Sequence, residues 1–340
     1  MSQASVRLGV VGLGGWGQNV LRSFSRTPGC ELAMICDADA NRLAQHGKQH
    51  PGAVATSSYQ QLLQDESVQA VAIATPAPMH YAMARDALLA GKHVYVEKPM
   101  TLRVDHAEEL VRLAATYDRK LMVGHLLMYH PAVQYLRQQI TAGSLGDIYY
   151  IYCQRLNLGV VRSDENAFWS LAPHDISIIQ YLFGAEPEQI VASGQSYLQP
   201  GVEDVVFANM RFNDGRIANI HVSWLDPLKT RQIVVVGSKK MVVFDDMQVA
   251  EKIRVYDKGA AREMAVADAM GAVKVRHGDI VIPHLPSREP LLEETSHFID
   301  CVQNNKQPLS DGRNGLQVVR VLETVEQNLK AQRHRLQRAA

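Results

Sequence analysis

Cysteine is scarce and scattered in this chain: only Cys30, Cys36, Cys153 and Cys301 are present, with no C-x-x-C pair among them. That excludes a disulfide framework and a zinc ribbon, and it points to a reducing compartment. No sign of charge is in excess either, since 35 Lys and Arg balance 35 Asp and Glu. A neutral chain gives no footprint for nucleic acid or an anionic membrane. The basic run AQRHRLQRAA at residues 331–340 reads as a solvated tail. No apolar stretch approaches the roughly 20 residues of a membrane span. Within a few polar residues the chain enters the strand-like VRLGVVG, so no signal peptide is expected. The expectation is a cytoplasmic protein with neither nucleic-acid nor membrane partners. Also missing are G-x-x-x-x-G-K-[ST], G-x-S-x-G and any tyrosine followed four residues later by lysine. His125, His130, His174 and Asp175 invite a metal reading, but they form no H-x-x-x-H pattern or thiolate cluster, so no metal is expected.

What is present suits an enzyme of two domains. The 340 residues exceed one typical domain, and 46% hydrophobic residues supply a sizeable core. Up to residue 124, short apolar runs (6–11, 31–36, 70–74, 93–96, 121–123) alternate with amphipathic segments (18–25, 40–48, 79–90, 104–117). That rhythm predicts an α/β fold whose residues 1–124 form a doubly wound parallel Rossmann sheet. Beyond residue 145 the segments DIYYIYCQRLNL, DVVFANMRF, RIANIHVSWL, RQIVVVG and KMVVFDD read as successive strands parted by turn signals. A helix over Pro173–Phe183 precedes most of them, and helices over 292–304 and 313–332 follow. Residues 125–340 are therefore expected to build a second α/β domain on one large open, mostly antiparallel sheet. An exposed sheet face invites a second copy, so a homodimer or homotetramer is expected.

Directly after the first strand, Gly12-x-Gly14-x-x-Gly17 opens a helix. Gly12 permits the tight turn, Gly14 lets backbone approach a pyrophosphate, and Gly17 allows close helix–strand packing. The phosphates then meet unpaired N–H groups and the positive end of the helix dipole. Asp37 closes the second strand, where a carboxylate accepts hydrogen bonds from a ribose diol and repels a 2′-phosphate; this favours NAD over NADP. Arg42, five residues on, either softens that preference or is a surface helix residue. Thr75-Pro76 ends another strand where the nicotinamide half should pass, or is an ordinary strand-ending turn.

Lys98 stands between Glu97 and Pro99 at the carboxyl end of a parallel strand, where ligands bind in open α/β sheets. By position alone it is either a solvated charge or an ammonium placed to stabilise a developing alkoxide. His174, in FWSLAPHDISII, opens an apolar helix. It is either bonded to a neighbour at the helix start or is a general base for a hydroxyl proton.

The set GLGGWG, ATPAPMH, EKP, GHLLMYHP and APHDI resembles the Gfo/Idh/MocA oxidoreductase family over essentially the whole chain. The resemblance implies NAD(P)-dependent dehydrogenation of a sugar, cyclitol or related alcohol, with Lys98 and His174 catalytic. It also places Gly15, Trp16, His80 and Glu97 with Gly12, Gly14, Gly17, Asp37, Thr75, Pro76 and Lys98 around the cofactor. Many members carry D-x-G-x-H, whereas this chain has Ser170 and Ala172 ahead of His174. Asp175 points elsewhere on the helix, so a Lys98/His174 pair is expected in place of a Lys–Asp–His triad.

The segment YCQRLNLGVVRSDENAFWSLAPHDI resembles members acting on nucleotide-linked sugars, UDP-N-acetylglucosamine 3-dehydrogenases in particular. That implies oxidation of a C3 hydroxyl to a ketone, feeding a PLP-dependent aminotransferase. In chemical terms Arg155 and Arg162 suit a diphosphate, and Asn157 and Asn166 suit a sugar or its acetamido group. Tyr129 and His130 are placed to line the substrate cleft beside Lys98 and His174. For each of these the alternative is ordinary surface or strand-pairing chemistry. Two other functions stay open: a dehydrogenase of a free sugar or inositol, and a non-enzymatic NAD-sensing regulator.

Overall fold

Runs of Val, Ile and Ala with almost no polar interruption form one parallel sheet in the first part of the chain. The computed structural model describes residues 5–159, 161–262 and 273–339. The sheet comprises β1 (Val6–Val11), β2 (Cys30–Cys36), β3 (Val54–Thr56), β4 (Ala70–Ile73), β5 (His93–Glu97) and β6 (Leu121–Gly124), ordered β3-β2-β1-β4-β5-β6. β1, β4, β5 and β6 are buried nearly throughout, because α1 (Gly17–Arg26), α2 (Ala40–Gln49), α3 (Tyr59–Gln64), α4 (Ala77–Leu89) and α5 (Val104–Thr116) connect the strands. Strand order reverses between β1 and β4, so the carboxyl ends of β1, β4 and β5 flank the switch point. A 3₁₀ turn, Leu126–Tyr129, follows β6.

The later elements are α6 (Pro131–Thr141), β7 (Ile148–Leu156), α7 (Ala167–Leu171), α8 (Pro173–Phe183), β8 (Gln189–Gln195), β9 (Val205–Arg211), β10 (Ile217–Ser223), β11 (Thr230–Gly237), β12 (Met241–Asp245), β13 (Ile253–Tyr256), β14 (Gly259–Arg262), β15 (Val273–Arg276) and β16 (Ile280–Val281). Eight of these strands form a sheet in the order β16-β13-β12-β11-β7-β10-β9-β8, with β14 and β15 as a separate ribbon. Every pairing in the large sheet is antiparallel except β7 with β10. Along β7, Ile151, Cys153 and Arg155 face inward and Tyr150, Tyr152 and Gln154 face outward, the two-residue alternation of a sheet covered on one side.

The chain divides into two compact units: residues through Tyr129 together with Arg288–Glu323, and His130–Ser287 together with residues from Thr324 onward. This differs from the sequence reading, which assigned everything after residue 124 to one second domain. Helix α9 (Pro290–Gln303) and the start of α10 (Gly312–Ala339) belong to the first unit. The reason is aromatic packing: Phe298 of α9 meets Phe24 of α1 and Tyr95 of β5 edge-on, with centroids 6.0 and 5.9 Å apart. Asp311 also bridges to Met122 along the edge of β6.

Candidate functional site

In the first unit the fingerprint turn has the shape a dinucleotide needs. Gly12 adopts φ +88°, and a Cβ on Gly17 would sit 1.9 Å from the Gly12 carbonyl oxygen. Above Gly15 there is open space, with nothing within 4 Å of an added Cβ. The N-cap residue of α1 is Trp16, which makes no side-chain cap; the Gln18 and Asn19 N–H groups turn back to the Gly14 and Trp16 carbonyls at 3.1 and 2.8 Å. Asp37 accepts from the Leu13 N–H at 2.6 Å and from the Asp39 N–H at 2.8 Å, which ties the glycine turn to the end of β2. The Arg42 guanidinium lies 3.7 Å from Asp37 and 3.4 Å from Asp39, and it is also the neighbour of Gly14. Open space over the turn, the positive end of α1 behind it and a carboxylate at the end of β2 all fit NAD.

Around the EKP segment the polar groups are tightly bonded. Trp16, 44% exposed, donates its indole N–H to Glu97 at 2.7 Å. Burial raises the Glu97 carboxyl above its ordinary range, while the Trp16 N–H and the Lys98 charge pull it down. His80 is buried, and its ring nitrogens lie 2.8 Å from the carbonyls of Thr75 and Pro99. This residue, expected among those around the cofactor, therefore acts as a strut between the β4–α4 turn and the EKP loop. Lys98 is half-buried and Pro76 exposed. His125, just beyond β6, is fully buried and feels the Lys98 charge; burial drives its imidazole down to about 3, so it is neutral. Tyr129, expected in the cleft, is instead buried and paired with Ser310 at 3.0 Å. A cavity of about 340 Å³ lined by Val111, Asp118, Arg119, Gln307 and Arg313 sits at the amino end of β6, away from the strand ends where ligands bind.

In the second unit His174 lies in the first turn of α8, half-buried, and its carbonyl accepts from the Ser177 hydroxyl at 2.8 Å. Asp175 turns away from it, as the sequence implies, and binds Arg155 through two contacts of 2.8 and 2.9 Å. Arg155 and Asp175 are 8% and 1% exposed, so this guanidinium anchors α8 to β7 and is not a diphosphate donor. Asn166 is likewise committed. It caps α7 by accepting from Phe168 and Trp169, and its amide donates to Glu203 and Glu326. His130 caps α6 by accepting from the Ala132 N–H at 3.0 Å, and it is buried against Phe244. Of the residues expected to meet the sugar nucleotide, Arg162 remains exposed, beside Glu165 at 3.0 Å, and Asn157 is half-buried. Sequence reasoning missed Arg231. It stands opposite Arg155 in the β7–β11 register, is 42% exposed at its side chain, and lies 3.9 Å from Asp246. No group of three His, Cys, Asp or Glu among the described residues is arranged to hold a metal ion. No helix among them is long and apolar enough to cross a membrane.

Comparison with known proteins agrees with the fold. The NAD-binding Rossmann-fold model of the Gfo/Idh/MocA oxidoreductases matches residues 6–125, and their C-terminal domain model matches residues 133–243. The UDP-N-acetylglucosamine 3-dehydrogenase of Acidithiobacillus ferrooxidans is 29% identical over 92% of this chain and 94% of its own. A crystal form of that enzyme superposes with a TM-score of 0.80 over 96% of this chain and 97% of its own. The NAD(+)-dependent scyllo-inositol 2-dehydrogenase of Bacillus subtilis is 23% identical over 89% of this chain and 88% of its own.

Proposed function

Because the chain belongs to the Gfo/Idh/MocA oxidoreductase family, we propose that it oxidises the C3 hydroxyl of UDP-N-acetylglucosamine to the 3-keto sugar. It is an NAD-dependent oxidoreductase with relatives that dehydrogenate sugars and cyclitols. What carries the finer reading is similarity in sequence and in fold, along nearly the whole chain, to a UDP-N-acetylglucosamine 3-dehydrogenase. A second reading, a free sugar or inositol, is favoured by the inositol dehydrogenase relative at lower identity.

Bound NAD supplies the oxidant that takes up the hydride from the sugar carbon. The Gly14-Gly15 turn at the amino end of α1 would hold its pyrophosphate, and Asp37 would receive the ribose hydroxyls. His174 accepts the hydroxyl proton, and the Lys98 ammonium stabilises the negative charge that grows on the oxygen. Arg162 and Arg231, both accessible to solvent, are the cations suited to the diphosphate. A 3-keto sugar nucleotide is a substrate for a PLP-dependent aminotransferase, which places 3-amino sugar synthesis downstream. The outward face of the large sheet, with Tyr150, Val191, Phe207 and Ile217 exposed, suits a second copy of the chain.

The decisive test is NADH formation from NAD and UDP-N-acetylglucosamine, with an aminotransferase to pull the equilibrium. Lys98→Met and His174→Ala are each expected to lose about 10²–10⁴-fold in turnover while still binding NAD. Near-normal turnover in either variant removes that residue from the mechanism. Activity on inositol or a free sugar but not on the UDP-sugar selects the second reading.

A further inference from the structure

Beneath the EKP loop runs a buried polar chain that the proposed reaction does not use. Glu97 receives the Trp16 indole N–H on Oε1 at 2.7 Å and the Lys98 backbone N–H on Oε2 at 3.3 Å. The Tyr95 hydroxyl stands 3.2 Å from Glu97 Oε1 and 2.9 Å from Oε2 of Glu294, a residue of α9 that is 199 positions away in sequence. Glu294 is fully buried, and its Oε1 has no hydrogen-bond partner among the described residues. The arrangement requires glycine at 124, because a Cβ there would lie 2.9 Å from both the Glu97 carboxylate and the Tyr95 hydroxyl.

One hydroxyl hydrogen cannot serve two carboxylates. For both contacts to be hydrogen bonds, one carboxyl group must carry a proton and donate to Tyr95 Oη while Tyr95 donates to the other. Glu97 has two N–H donors and the Lys98 charge nearby, so it holds the negative charge. Glu294 has neither. It shares a face of α9 with Phe298, whose ring packs on Tyr95, and burial holds its carboxyl well above the ordinary range. The proton therefore sits on Glu294, and the direction of the chain is Glu294 to Tyr95 to Glu97.

We propose that Glu294 and Tyr95 are positioning residues for the cofactor: they hold Glu97 where it ties Trp16 of the phosphate-binding turn to the backbone of Lys98. The inference rests on the NAD assignment and is independent of which sugar is oxidised. The titratable groups facing Glu294 are Tyr95 and Glu97 of β5 and Tyr129 of the 3₁₀ turn. When Glu294 loses its proton, two carboxylates confront one hydroxyl and Glu97 is driven off the indole. NAD affinity then falls as the pH rises.

The experiment is NAD binding by tryptophan emission from about pH 6 to about pH 10, a range that spans buried carboxyl ionisation. Trp16→Phe identifies the Trp16 share of the signal, and thermal melts confirm folding. Tyr95→Phe is expected to weaken NAD binding about tenfold at neutral pH and to shift the Trp16 emission even without cofactor. Glu294→Gln, whose amide donates to Tyr95 without ionising, should keep the parent affinity at neutral pH and lose the alkaline weakening. Unchanged affinity and emission in folded Tyr95→Phe, or identical pH profiles for Glu294→Gln and the parent, would overturn the proposal. Failure of every sugar as substrate would defeat the UDP-sugar reading and leave these binding curves as predicted.

Discussion

Asp175 follows His174 directly yet has a different task, because one step along a helix turns a side chain by about 100°. That rotation carries its carboxylate to Arg155 on β7, where both partners are buried. Asp175→Ala leaves a buried guanidinium without its counter-ion, and about 3–5 kcal/mol of stability should be lost. The joint change Arg155→Met with Asp175→Leu should cost markedly less, measured by urea unfolding. Equal losses in the two would mean that the pair is not a buried ionic unit. At this scale the sequence is legible where backbone dictates the residue, as in the glycine turn and Asp37. It misleads where a polar side chain has two possible employers. Asn166 stands immediately before a helix, a capping signal that a sugar-binding reading overrode. Arg155 has the parity of Ile151 and Cys153 on β7, which already marked it as inward-facing. Tyr95 and Glu294 have no local signature, since their meeting depends on α9 packing against β5.

Among the elements, the close approach of α1 to the β1 turn is the most sequence-determined. Gly17→Ala puts a methyl group 1.9 Å from the Gly12 carbonyl oxygen, so the turn or the helix must move. The expected outcome is at least about a tenfold loss of NAD affinity and a destabilisation of about 1–3 kcal/mol. Calorimetric titration and thermal unfolding would check it; unchanged affinity would show that the turn tolerates the shift. The strands and helices of the βαβ rhythm were readable because each run is apolar throughout or periodic. Several of the elements that escaped are short. β3 has three residues, two of them exposed, while α3 has six and is announced chiefly by its Ser58 cap. α7 has five residues and is likewise marked by its cap. The parallel pairing of β7 with β10 also lay beyond reach, because neighbouring strands in sequence are the natural first guess for a meander.

For the molecule as a whole, the outward face of the eight-stranded sheet is the feature that most needs a counterpart. Phe207 stacks on His221 there, 4.1 Å between ring centroids, while remaining 43% exposed. Phe207→Glu should convert an oligomer to a monomer without unfolding it, as read by light scattering and circular dichroism. A parent that is already monomeric would refute the reading of that face. The two-domain architecture was legible from the change of rhythm near residue 145, but the return of Arg288–Glu323 to the first unit was not. That return has a consequence for how the protein is made. A ribosome delivers residues in order, so the cofactor-binding sheet is begun first and must wait for its Glu294 until all of His130–Ser287 has been synthesised. The earliest strands of the chain are completed by some of its last helices.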